Sequence, residues 1–194
     1  MRTATILFLA GALLAACGNG DLAPETEPGW ITLFDGSTLD GWDVIGDANW
    51  TLREGAAEAT SGNGFLVTPD SYDDFELRVE FWVNNIANSG VFIRCSDPAE
   101  INAENAYEVN IYDTRPDQTY RTGSIVDVAP PSAVIDTGGQ WNTFEIRAEG
   151  TRLSVTLNGV PMVGVEHEGY TDGPIALQYG GGIVRFRSVQ IRQL

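Results

Sequence analysis

From Phe75 to Val83 the chain alternates without a break, with Phe75, Leu77, Val79, Phe81 and Val83 on one side and Glu76, Arg78, Glu80 and Trp82 on the other. A side-chain period of two describes an extended strand with one face buried and one face wet. The same period recurs in Leu153, Val155 and Leu157, which alternate with Ser154 and Thr156 and run into Asn158-Gly159 and then 160–165. Asn-Gly between alternating runs signals a two-residue hairpin turn, and Pro161 places the returning strand at an edge or gives it an irregular start. Further strands are expected at 50–59, 64–68, 89–95, 106–113, 141–149, 173–179 and 183–193. In the last of these the apolar parity shifts between Phe186 and Val189, which predicts a bulge near Ser188. Helical spacing never lasts beyond one turn. The expected fold is therefore all-β, two antiparallel sheets packed face to face as a sandwich. Residues 114–140 interrupt the pattern with a polar stretch rich in Pro and Gly, and connections of that length more often carry function than not.

The organisation is that of one domain behind a leader. Arg2, the apolar run 6–14 and Leu14-Ala15-Ala16-Cys17 read as a signal segment over 1–16, too short to span a bilayer. The tetrapeptide resembles a bacterial lipobox, which implies cleavage before Cys17 and lipid on its thiol; an ordinary signal peptide that happens to contain a cysteine is the alternative. Residues 17–28 have the polar, proline-bearing composition of a flexible tether. The folded unit, 29–194, is long enough for one sandwich and too short for two ordinary domains. Lipid on Cys17 would hold it at the cell envelope, and Gly18, in place of an Asp, tilts this toward the outer membrane, facing periplasm or exterior. Only Cys95 then remains, so no internal disulfide can form, and its parity with Val91 and Ile93 makes it a small core residue.

Charge narrows the partners. There is no lysine; the eleven basic residues are all arginine against twenty-seven acids, for a formal net charge of −16. Such a surface has little to offer a phosphate backbone, so nucleic acid is not an expected partner. Schiff-base chemistry is excluded by the missing lysine.

Several segments in order resemble one family. They are Leu33-Phe34-Asp35-Gly36, Leu39-Asp40-Gly41-Trp42, Asp74-Phe75-Glu76-Leu77, Asn88-Ser89-Gly90-Val91-Phe92-Ile93-Arg94 and Tyr107-Glu108-Val109-Asn110-Ile111-Tyr112-Asp113. Thr122-Gly123-Ser124-Ile125, Trp141-Asn142-Thr143-Phe144, Leu157-Asn158-Gly159-Val160, Gly173-Pro174-Ile175-Ala176-Leu177-Gln178 and Phe186-Arg187-Ser188-Val189 follow. Together they are similar to the 3-keto-disaccharide hydrolase family over nearly all of 29–194. The resemblance implies a concanavalin A-like jelly roll with a sugar on its concave face, and cleavage of glycosides already oxidised at C3.

On the strand from Tyr107, Val109 and Ile111 fit a core, which leaves Glu108, Asn110 and Tyr112 on the other face. Glu108, Asn110 and Asp113 share the spacing of the three acidic positions in laminarinase-like glycosidases, with Asn110 in place of an acid and Asp113 one methylene short. A 3-keto sugar permits an easier route than ordinary retaining hydrolysis, because the ketone acidifies the C2 hydrogen and the glycosidic oxygen lies β to the resulting anion. Hydrolysis and β-elimination both stay open. Glu108 is expected as base or acid, Asp113 as its partner and Arg94 as the charge that steadies the oxyanion. Should Glu108 and Arg94 fall on opposite surfaces, a passive sugar receptor becomes the better reading.

Each assignment has a plainer counterpart. Glu108 and Arg94 could form a cross-strand ion pair, and Asp113 could be an acid at a strand end. Gln178 could meet a sugar hydroxyl or a loop backbone; Trp82 could stack on a pyranose or pack on its sheet. Asn110 and Tyr112 are expected to bind substrate; Asn88 and Ser89 could reach it or only shape a loop. Arg185 and Arg187 pair with acids. His167 is a surface turn residue or, with carboxylates from elsewhere, a metal ligand. No cofactor is expected, although an oxygen-ligated Ca²⁺ or Mg²⁺ stays open among so many acids. The non-catalytic alternatives are a carbohydrate-binding envelope lipoprotein and a structural or adhesive domain.

Overall fold

The computed structural model describes residues 27–194, so the leader, Cys17 and most of the tether lie outside the described residues. The strands are β1 (Ile31–Phe34), β2 (Asp43–Gly46), β3 (Thr51–Arg53), β4 (Ala56–Ala59), β5 (Gly64–Val67), β6 (Phe75–Val83) and β7 (Ser89–Ile93). After them come β8 (Tyr107–Ile111), β9 (Trp141–Glu149), β10 (Arg152–Leu157), β11 (Val160–Glu166), β12 (Ala176–Tyr179) and β13 (Val184–Gln193). An eight-stranded sheet has the order β11-β10-β9-β6-β13-β4-β3, with β1 also on β13, and a five-stranded sheet has the order β2-β5-β12-β7-β8. All these strand pairs are antiparallel.

The alternation of β6 becomes the centre of the larger sheet, with Phe75, Leu77, Val79 and Phe81 fully buried. They join one core with Leu66, Val91, Ile93, Val109, Ile111 and Leu177 from the smaller sheet. Each such side chain contributes roughly 1.5–3 kcal/mol by leaving water. Asn158 (φ 51°) and Gly159 (φ 79°) make the hairpin turn, since a two-residue loop that follows the strand twist needs left-handed backbone at both positions. Pro161 lies on β11, at the edge of its sheet, beside a register shift. The bulge in β13 falls between Phe186 and Ser188.

Several expected strands are corrected. The segment 50–59 is two strands, because Glu54 (φ 51°) and Gly55 (φ 73°) form a second tight hairpin. The segment 89–95 ends at Ile93, where Arg94 turns left-handed at φ 53°. The segment 106–113 ends at Ile111, and the short strands β1 and β2, with mostly exposed residues, carry too little periodicity to be read.

The two outer faces differ. The larger sheet carries ion pairs and arginine–tryptophan stacks, among them Arg185–Glu58, Arg187–Glu80, Arg185 over Trp82 and Arg187 over Trp141. The smaller sheet is apolar at one end, where Phe65, Val67, Phe92 and Ala176 pack under Ile101, Ala106 and Cys95. Burial pushes the Cys95 thiol up to about 12, so it remains protonated and acts as a core side chain.

Candidate functional site

On the outer face of the five-stranded sheet, register lines up the candidate side chains. Phe92 stands opposite Glu108, Gly90 opposite Asn110, and Phe65 opposite Gln178, while Leu177 opposite Val91 brings Gln178 alongside Gly90. Gly90 is where a missing side chain matters: a Cβ there would sit 3.2 Å from the Glu108 carboxylate, so its absence lets Glu108 lie over β7.

The long connection closes over this row. The backbone of 123–126 runs beside β8, with Asn110 N donating to Ser124 O at 3.0 Å and Val126 N to Glu108 O at 3.0 Å. The Asn110 amide donates to Tyr120 O, so Asn110 is 1 % exposed and holds the loop rather than facing solvent. A short 3₁₀ turn over Gln118–Tyr120 is capped by the Asp117 side chain, which accepts from Thr119 N. Tyr120 then donates its hydroxyl to Asp127 at 2.8 Å, and Arg115 lies over the rings of Tyr112 and Tyr120 at 5.9 and 5.1 Å. A hollow of about 200 Å³ between Thr119, Tyr120, Ile125 and Asp127 adjoins this loop.

Glu108 is the electrostatically unusual residue. Its carboxylate has no hydrogen-bond donor among the described residues. Burial pushes its pKa up to about 7, against the pull of Arg115 and with the Asp127 charge adding to the rise. A carboxyl poised near neutrality can take and return a proton, which is what acid–base chemistry requires. Gln178 presents a second unfulfilled group, a buried amide oxygen without a donor. Buried acceptors are nearly always paired, so this one stands ready for a ligand hydroxyl or N–H.

Other expected members are elsewhere. Arg94 is 1 % exposed and turned away from Glu108, donating to Asp73 O at 2.9 Å, Gly150 O at 2.7 Å, Tyr170 O at 3.1 Å and the Asp74 carboxylate at 3.0 Å. The left-handed backbone at Arg94 breaks the parity that would have kept it beside Phe92 and Gly90. Its guanidinium joins the end of β7 to the starts of β6 and β10, so the expected oxyanion role for Arg94 is corrected to a structural one. Asp113 is likewise spent: it accepts from Thr122 Oγ1, from Thr137 N at 2.6 Å and Oγ1 at 2.9 Å, and from Gly138 N at 2.9 Å. Four donors leave it no freedom to work with Glu108, and it anchors both ends of the long connection instead.

Trp82 belongs to the other sheet, opposite Trp141 and Arg185, and is not part of the row. Ser89 faces inward and donates to Gln178 O at 2.7 Å; Asn88 bridges by its backbone to Gly180 and Gly181. Ser89 shapes the site without facing it, and Asn88 holds the end of the row against Gly180. Tyr112 stays near it through Arg115. His167 is exposed, 3.1 Å from the Tyr107 hydroxyl. Among the described residues no three His, Cys, Asp or Glu side chains are grouped to hold a metal ion.

Arg115, Tyr120 and Asp127 were not singled out from the sequence. The usable signal was a cation between two tyrosines in a long connection of an acidic chain. Hollows of about 490 and 280 Å³ open on the larger sheet, but arginines such as Arg147 and Arg192 there are already matched by Glu76 and Glu149.

A family model described as the 3-keto-alpha-glucoside-1,2-lyase-like domain matches residues 29–192. A 3-keto-disaccharide hydrolase of Bacteroides thetaiotaomicron is 28 % identical over 158 residues, which is 63 % of this chain and 53 % of that protein. The chain thus spans about half the length of that relative. Among solved structures, two candidate glycosyl hydrolases from Parabacteroides distasonis superpose with TM-scores of 0.77 and 0.72, at 18 % and 25 % identity. The superpositions cover 86 % and 85 % of this chain and 94 % and 99 % of theirs. The carbohydrate-binding module CBM66 of Bacillus subtilis superposes at a TM-score of 0.64 and 18 % identity, over 79 % of this chain and 96 % of its own. These likenesses fit the jelly-roll fold expected from the sequence.

Proposed function

The chain belongs to the family of 3-keto-alpha-glucoside-1,2-lyase-like domains, and on that premise we propose that it cleaves the glycosidic bond of 3-keto-glycosides with Glu108 as the acid–base residue. The observation that carries the reading is the unpaired, desolvated Glu108 carboxyl on the outer face of the five-stranded sheet, with its pKa raised to about 7.

In the proposed reaction the Glu108 carboxylate takes the C2 proton, and the C2–H electron pair moves into a C2–C3 double bond as the ketone becomes an enolate. The enolate then re-forms the ketone, a C1–C2 double bond forms, and the C1–O bond breaks. The departing oxygen takes a proton, which the Glu108 acid can return, so the carboxyl ends as it began. The products are an unsaturated 3-keto sugar and the free aglycone alcohol. Addition of water across the new double bond gives the outcome of a hydrolase. Gln178 meets a sugar hydroxyl through its unpaired oxygen.

The removal of Arg94 from the site favours a second reading, a carbohydrate-binding protein without turnover, and the likeness to a carbohydrate-binding module fits it. The test is release of nitrophenol from a nitrophenyl 3-keto-glucoside and from the unoxidised glucoside, repeated after chelation. Selective release from the keto compound supports cleavage; binding without release selects the receptor. We also propose lipid attachment at Cys17 and an envelope location, on the strength of the tetrapeptide at 14–17. Labelled palmitate that is incorporated equally by Cys17→Ser would remove that proposal.

A further inference from the structure

In a chain of net charge −16, an arginine without a carboxylate partner is an anomaly. Among the described residues Arg53, Arg78, Arg94, Arg147, Arg152, Arg185, Arg187 and Arg192 each face a carboxylate, and Arg121 donates to Arg115 O at 3.0 Å. The Arg115 guanidinium alone makes neither an ion pair nor a hydrogen bond there. Its position is nonetheless fixed. It lies over two tyrosine rings, and its backbone donates to Tyr112 O at 3.3 Å. Pro116 restricts its backbone from the other side. The Tyr120 end of the turn is bolted to the site row by Asn110 and to Asp127 by the phenol. All five donors of a placed, permanent cation are therefore unspent on the loop that Asn110 and the Glu108 carbonyl hold against the site row.

We propose that Arg115 is the catalytic cation of this site, the group that binds the enolate oxygen formed at C3 when Glu108 removes the C2 proton. This rests on the reading of the protein as a 3-keto-glycoside-cleaving enzyme. The two tyrosine faces hold the guanidinium without consuming its N–H groups, since a cation–π contact leaves the in-plane donors free. A donor held in place before charge develops costs no reorganisation at the moment of reaction. Arg115 therefore takes the role the sequence had suggested for Arg94. Its influence on Glu108 runs in the same sense: the cation opposes the rise that burial and Asp127 impose.

The experiment compares wild type, Glu108→Gln, Arg115→Met and Arg115→Lys on nitrophenyl 3-keto-glucoside, with thermal midpoints measured alongside. Arg115→Met should lose roughly 10²-fold in kcat with little change in KM, as for the loss of one oxyanion donor. Its pH–rate midpoint should move above that of wild type, and millimolar methylguanidinium should restore part of the rate. Arg115→Lys, which keeps a charge but not the planar fork, should fall between. The guanidinium has only its two ring contacts to lose, so both variants should melt within a few degrees of wild type. Turnover that needs Glu108 but stays within threefold of wild type in Arg115→Met overturns this inference and leaves the function intact. A change in KM alone also overturns it, making Arg115 a binding residue. Wild type no faster than Glu108→Gln overturns both.

Discussion

Arg94 follows Phe92, the residue paired opposite Glu108, by two positions, yet its guanidinium donates to Asp74 at 3.0 Å while Glu108 remains on the outer face of the sheet. One left-handed residue separates two side chains that strand parity would place together. The buried arginine fastens the sheets, and Glu108 is left without a partner.

That separation predicts different consequences for the two residues. Arg94→Met leaves the carbonyls of Asp73, Gly150 and Tyr170 and the Asp74 carboxylate without their donor, and should cost about 3 kcal/mol or more in urea unfolding. Measured well below the melting midpoint, its kcat on a 3-keto-glucoside should stay within a few-fold of wild type.

Glu108 should destabilise the fold when charged. Its folded pKa of about 7 lies above the usual carboxylate value. The acid form's contribution is thus complete below about pH 4 and lost as pH rises through 7. Glu108→Gln should therefore match wild type in stability at pH 4 and exceed it at pH 8 by up to about 3 kcal/mol, read from urea midpoints.

In catalysis the same group must be ionised to act as base. The kcat/KM of wild type should rise through an apparent pKa near 7, and Asp127→Asn should move that midpoint down, because the Asp127 charge raises it.

Gln178→Leu tests stability against function in one variant. Removing an unpaired buried oxygen should leave stability unchanged or raise it by about 1 kcal/mol, while affinity for the keto-sugar falls roughly five- to tenfold.

Asp113 binds segments far apart in sequence. Asp113→Ala should cost roughly 2–3 kcal/mol and speed hydrogen exchange at the Thr137 and Gly138 amides that now donate to it.

Strand β6, the Asn158-Gly159 hairpin and the β13 bulge were legible because each is written in adjacent residues. Glu108 and Gln178 were legible by parity alone, which holds as long as the backbone stays extended. Arg94 was misread because parity fails at a left-handed residue. Asp113 was misread because Thr122 and Thr137, which fix its role, lie 9 and 24 positions away. Arg115 and Asp127 sit in a connection without periodicity, and only the closure of that loop onto β8 brings them to Glu108.

Loss of the C2 hydrogen to Glu108 can be followed directly by incubating a 3-keto-glucoside with the protein in D₂O and recording proton spectra. Proton removal by Glu108 requires a primary isotope effect on cleavage of the C2-deuterated substrate, and exchange of the C2 position or its conversion to a vinylic carbon, both abolished in Glu108→Gln. Cleavage with no isotope effect, or C2 chemistry that persists undiminished in Glu108→Gln, would contradict it.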